Sequence, residues 1–146
     1  MNVGNILKVA DAIDGRVVPD LGFNLQLPFR TGGQDYSGHS CGTVACIAGW
    51  ASLVEGRHID DATSWRKEVM PWAQTYFGLD EAAANELMAP MSIILTRRFP
   101  MPSDKDAVRC LRNLAITGKV DWEAAMKPAD PVMPALPAPV ASKVRA

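Results

Sequence analysis

The sequence predicts a mainly α, single-domain fold built around a buried central helix, and three observations point that way. From Thr43 to Val54 there is no charged residue, and Val44, Ile47, Ala48, Ala51 and Val54 recur at helical spacing while the other face carries Cys46, Gly49, Trp50 and Leu53. A helix apolar all round is a buried one. Two further stretches, Asn5–Ile13 and Ser103–Thr117, show clear one-faced helical patterns that can cover it. A short alternating segment near residues 23–27, Phe23-Asn24-Leu25-Gln26-Leu27, reads as an extended piece stopped by Pro28.

Taken in order, Ile6, Val9, Ala10 and Ile13 form one face of a first helix that Asp14-Gly15 ends. Thr31 to Ser40 is a loop rich in Gly, Ser and Asp that delivers the chain to Cys41. The central helix is expected from Thr43, with Thr43 or Ser40 capping it and Gly56 near its C-terminus. Asp60 to Glu68 predicts a short helix capped by Asp60 or Asp61. Trp65, Val69, Trp72 and Tyr76 share one stripe, but an interior Pro71 costs about 3 kcal/mol, so a break near Met70 is expected, with Pro71 in the first turn of a helix ending at Gly78. Asp80 caps a helix through Leu87-Met88 that stops before Pro90. Met91 to Pro102 reads as irregular. Ser103 with Asp106 approximates a capping box for the next helix, which Gly118 terminates, and Asp121 caps a last short one.

Residues 1–126 therefore read as a helical globular domain and 127–146 as a Pro/Ala-rich extended tail, with Pro128, Pro131, Pro134, Pro137 and Pro139 favouring polyproline II. The formal net charge is −1, so nothing global points to nucleic acid or a membrane surface. Lys127, Lys143 and Arg145 against Asp130 give the tail +2, leaving the domain at −3. Three cysteines and no basic, apolar leader at Met1–Lys8 predict free thiols and a cytoplasmic location, and no segment is long enough to span a membrane.

The segments Cys41-Gly42-Thr43-Val44-Ala45-Cys46-Ile47-Ala48-Gly49-Trp50, Phe77-Gly78-Leu79 and Ala107 to Ala115 resemble small uncharacterised proteins of bacteriophages and bacteria that share a Cys-Gly-Thr-x-x-Cys-x-x-Gly core. The resemblance covers most of residues 5 to 126. It implies the fold boundaries and a phage-like origin, and no mechanism.

Three sets of side chains carry candidate chemistry. Cys41, expected at a helix N-terminus, is positioned for a lowered pKa, with His39 and His58 as the available bases. Ser40 to Cys46 is distantly similar to the Cys-Gly-Ser-Cys-Trp segment of papain-like proteases, but its spacing departs from it. A buried structural thiol is the commoner state of a free cysteine. His39, Cys41, Cys46 and His58 are zinc-type ligands at poor spacing, and Cys46 reads equally as a small core residue. Lys105, Arg109 and Arg112 share a helix face, with Arg97-Arg98 elsewhere, but Asp104 and Asp106 dilute it, so a solvated face is the better reading. The four tryptophans read as core.

No phosphate loop or metalloprotease motif is present, and no cofactor or metal is expected. The preferred reading is a small accessory protein that binds a protein partner or itself. The alternative is a thiol-dependent hydrolase or transferase with Cys41 as nucleophile.

Overall fold

Helix α1, Val3–Asp14, buries Ile6, Val9, Ala10, Ala12 and Ile13 in the computed structural model, and the rest of the fold is arranged on its two sides. The structure describes residues 1–17, 21–23, 30–31, 43–58, 64–90 and 102–127. The Asn2 side chain caps α1 by accepting from the Asn5 N–H at 3.0 Å, and Gly15 closes it. Three very short strands come next: β1, Leu21–Phe23, β2, Arg30–Thr31, and β3, Thr43–Ala45. The central strand β3 pairs parallel with β1 and antiparallel with β2. The extended segment expected at residues 23–27 thus begins earlier, at Leu21, and its residues 24–27 lie outside the described ones.

The buried helix starts later than its composition suggests. α2 is Ile47–Val54, with Cys46 as N-cap in an extended conformation, so Thr43 to Ala45 belong to the sheet and Thr43 is not the cap. Thr43-Val44-Ala45 can adopt either state locally; pairing on both sides with β1 and β2 gives its backbone groups partners that a helix would otherwise supply. Ile47 to Ser52 are buried, and the Ser52 hydroxyl donates to Ala48 O at 3.0 Å, which satisfies the one buried polar side chain of the described core.

Trp65–Val69 forms a π-helical turn capped by Ser64, not by Asp60 or Asp61, which lie outside the described residues. Ser64 Oγ accepts from the Lys67 N–H at 3.2 Å and Glu68 Oε2 from the Ser64 N–H at 2.8 Å. Met70 N–H reaches Trp65 O, five residues back. The wide turn runs directly into α3, Met70–Phe77, where Pro71 occupies the first turn. Pro71 lacks an N–H, and a start at that position costs no hydrogen bond. The expected break near Met70 is therefore a π-to-α transition.

α3 ends at the left-handed Gly78, Asp80 caps α4, Glu81–Met88, and a complete Ser103–Asp106 capping box opens α5, Asp104–Thr117, which ends at left-handed Gly118. Asp121 caps α6, Trp122–Met126. The expected helices at Asn5–Ile13 and Ser103–Thr117 are both present. However, α5 packs chiefly on α1 and α6, while α2 packs on α1, α3 and the π turn. α1 is the layer between α5 and α2. Trp50 and Trp122 are core residues, whereas Trp65 and Trp72 are half-buried against it.

Ala48 is fully buried. Ala48→Arg should leave the protein unfolded or insoluble, because an unpaired buried charge costs several kcal/mol; a folded, soluble variant by circular dichroism would refute that burial. Gly78 has φ +66°, and a Cβ there would lie 2.9 Å from the Asn2 backbone N. Gly78→Ala should destabilise by about 1–2 kcal/mol, and more than Gly118→Ala, whose added Cβ meets nothing within 4 Å. Equal losses in chemical denaturation would show that the Asn2 contact is immaterial.

Candidate functional site

The start of α2 is where the sequence directs attention. Cys46, not Cys41, holds the helix N-terminal position. Cys41 and His39 lie outside the described residues, but Cys41 precedes strand β3, and the first turn of α2 begins beyond it at Ile47. The activation argument based on the helix dipole therefore applies to Cys46.

The Cys46 environment works against activation. The residue is 1 % exposed and its side chain makes no capping hydrogen bond. Burial pushes the thiol from its ordinary 9.0 up to about 11, although the backbone amides of Gly49 and Ala48 favour the thiolate. Cys110, on the buried face of α5, is likewise pushed up to about 12 by burial, with the Asp121 and Glu86 charges adding to the effect. Both are protonated at neutral pH and packed in the core. A nucleophile needs the thiolate and access.

His58 is exposed and lies beyond the C-terminal end of α2. Eight helical residues separate it from Cys46 by about 12 Å of axis, so these two do not share one tetrahedral ion, whose ligand atoms sit about 2.0–2.3 Å from the metal.

The C-terminal end of α2 instead builds a surface ladder that no sequence motif marks. The Arg57 guanidinium lies 4.5 Å from the Trp72 ring centroid, and Trp72 stacks on Tyr76 at 4.7 Å and 19°. Tyr76 donates its hydroxyl to Glu55 at 2.5 Å and meets Phe77 edge-on, and Lys8 of α1 pairs with Glu55 at 2.8 Å. Lys8 and Tyr76 hold the Glu55 carboxyl below its usual range. Arg57 Nε is buried with no hydrogen-bond acceptor among the described residues. The Trp72/Tyr76 spacing is visible in the sequence; the arrival of Arg57 and Glu55 from another helix end is not.

Two of the three basic side chains on α5 are engaged within the domain. Arg112 bridges Asp11 and Asp14 of α1 at 3.0 and 3.1 Å, and Arg109 pairs with Asp106 and donates to Ala125 O at 2.7 Å. These contacts engage Arg109 and Arg112 within the domain; Arg97-Arg98 lie outside the described residues. No helix among the described residues is long and apolar enough to cross a membrane. No protein-family model matches the chain, and no curated protein or solved structure matches it.

Cys46 and Cys110 should stay unlabelled by a thiol reagent at neutral pH until the protein unfolds. Fast labelling of Cys41 that disappears when His39 or His58 is replaced is the result a thiol enzyme requires. A raised thiol pKa also makes stability pH-dependent: the unfolded thiol ionises first, so the Cys46 contribution is full below pH 9.0 and is lost as pH rises towards about 11. That loss is about 3 kcal/mol, at ~1.4 kcal/mol per pKa unit. Urea unfolding of Cys46→Ala should show a shallower alkaline decline than the parent chain; parallel curves would rule out the buried-thiol account.

Proposed function

We propose that this chain is a small, non-catalytic, cytoplasmic accessory protein, phage-like in the resemblance its sequence carries, that acts by binding another macromolecule. In this reading residues 1–126 are a rigid carrier and 127–146 the part that engages a protein partner or a second copy.

The observation that carries the reading is the anchoring of α6 immediately ahead of a proline-rich sequence. α6 is held to the body by Trp122 Nε1, which donates to Glu86 O at 2.9 Å and Leu87 O at 3.2 Å, and by Arg109 Nε on Ala125 O at 2.7 Å. The chain leaves this anchored helix at an exposed Lys127 with φ −70° and ψ 135°, an extended conformation. From Pro128 to Ala146 the larger apolar side chains are only Val132, Met133, Leu136, Val140 and Val144, spread among prolines. Such a segment buries too little surface to offset an ordering cost of roughly 1–2 kcal/mol per residue, unless a partner supplies the surface.

Removing residues from Pro128 onward should change the melting temperature of the monomer by less than about 2 °C, while abolishing retention of a partner or self-association in size-exclusion chromatography. A large drop in the monomer's melting temperature would mean instead that the tail is part of the fold.

A further inference from the structure

We propose that Arg57, set against Trp72 at the exit of α2, is the docking point for an acidic side chain, Asp or Glu, of a partner protein. The site lies on the folded body, apart from the tail, and rests on the reading of the chain as one that binds a protein. Its origin is an unmatched charge. Arg16, Arg109 and Arg112 each pair with a carboxylate of their own chain. Arg57 pairs with none among the described residues; its guanidinium lies over the Trp72 ring, 4.5 Å from the centroid. Its Nε is the one buried side-chain nitrogen or oxygen of the described residues that has no hydrogen bond. Leaving such a donor unmet costs about 1–3 kcal/mol, and more when the group is charged.

Two carboxylates on neighbouring elements are already engaged. Glu55, the C-cap of α2, accepts from Tyr76 and pairs with Lys8, both through Oε2. Glu68 of the π turn accepts from the Ser64 N–H. Lys8 and Glu55 cancel as a pair, so the charge of Arg57 stays uncompensated at this surface.

That charge and its setting select the partner. A guanidinium presents a planar fork of donors that fits a carboxylate with two parallel hydrogen bonds. Packing against Trp72 restrains the fork before binding, so less side-chain entropy is lost than for a free arginine. Arg, Trp and Tyr are also the residue types on which binding energy concentrates at protein–protein contacts, and Arg57, Trp72 and Tyr76 are all half-buried here. A nucleic acid fits less well. Its affinity comes from several phosphates neutralised together, whereas this surface offers one unmatched cation on a body of charge −3, the chain's −1 less the tail's +2.

The test follows the Arg57 Nε–H and Trp72 Nε1–H signals of the full chain by NMR as a hexaglutamate peptide is added. The expected result is a saturable shift of both signals. Read at Trp72, affinity should fall about tenfold in Arg57→Lys, which keeps the charge without the fork, and vanish in Arg57→Gln. Melting curves check that both variants fold; should either fail, the titration of the parent chain decides alone. The proposal is overturned by no shift at Arg57 and Trp72, by shifts confined to the exposed Arg66 and Lys67, or by equal affinity in a folded Arg57→Gln. Inorganic phosphate moving the same signals at the same or lower concentration overturns the carboxylate partner in favour of a phosphate-bearing ligand. None of these results depends on the tail, whose removal tests the interaction reading separately.

Discussion

The structure depends on the seam that α1 makes with its neighbours on both sides. Ile6, Val9 and Ile13 are essentially inaccessible to water, and each contributes about 1.5–3 kcal/mol through burial. Without α1, the apolar face of α5, Ala107, Val108, Leu111 and Leu114, would lose its chief cover, and α2 would lose one of its walls. Polar contacts at the two ends set the register of the seam. At its N-terminal end Asn2 N–H donates to Phe77 O at 2.8 Å and Asn5 Nδ2 to Tyr76 O at 2.8 Å. At its C-terminal end Arg16 pairs with Asp104 at 2.8 Å, and Arg112 with Asp11 and Asp14. The Arg112 pairs are exposed and so worth about 0–1 kcal/mol each. Burial supplies most of the stability, and the end contacts select one alignment of α1 among those its apolar face allows.

The thiol at the start of α2 shows how magnitudes decide function. A helix N-terminus stabilises a nearby negative charge by about 0.3–1 kcal/mol, up to ~2 in favourable partly buried geometries. Burial of Cys46 raises its pKa from 9.0 to about 11 even with the amides of Gly49 and Ala48 opposing it. Desolvation outweighs the helix end, so position at a helix start does not make this thiol reactive. At the far end of α2, by contrast, Glu55, Arg57, Trp72 and Tyr76 are partly in water and hold each other. Arg57 and Glu55 tie the exit of α2 to α3.

The fold class and most helix ends were determined by the sequence itself, because they depend on groups a few residues apart. Asp80, Ser103 with Asp106, and Asp121 each bind backbone amides within their own first turn, and Gly78 and Gly118 adopt left-handed conformations that a side chain would resist. Pro71 likewise announced a break through its missing N–H. The apolar stripes of α1 and α5 identified their buried faces for the same local reason. The sequence placed a reactive-looking cysteine beside a helix start, but that reading required knowing where the helix begins.

Only the tertiary structure decided that point. Thr43-Val44-Ala45 are as compatible with the first turn of a helix as with a strand, and the choice rests on β1 and β2, far away in the chain, pairing on either side. The helix start thereby moves to Cys46, and Cys41 falls before strand β3. Tertiary packing also made α1 the middle layer, turned Trp65–Val69 into a π turn that hands over to Pro71, and brought Arg57 onto Trp72. Each of these sets the protonation, burial or exposure of a side chain through neighbours distant in sequence, and desolvation and pairing are properties of the assembled neighbourhood that no local pattern contains.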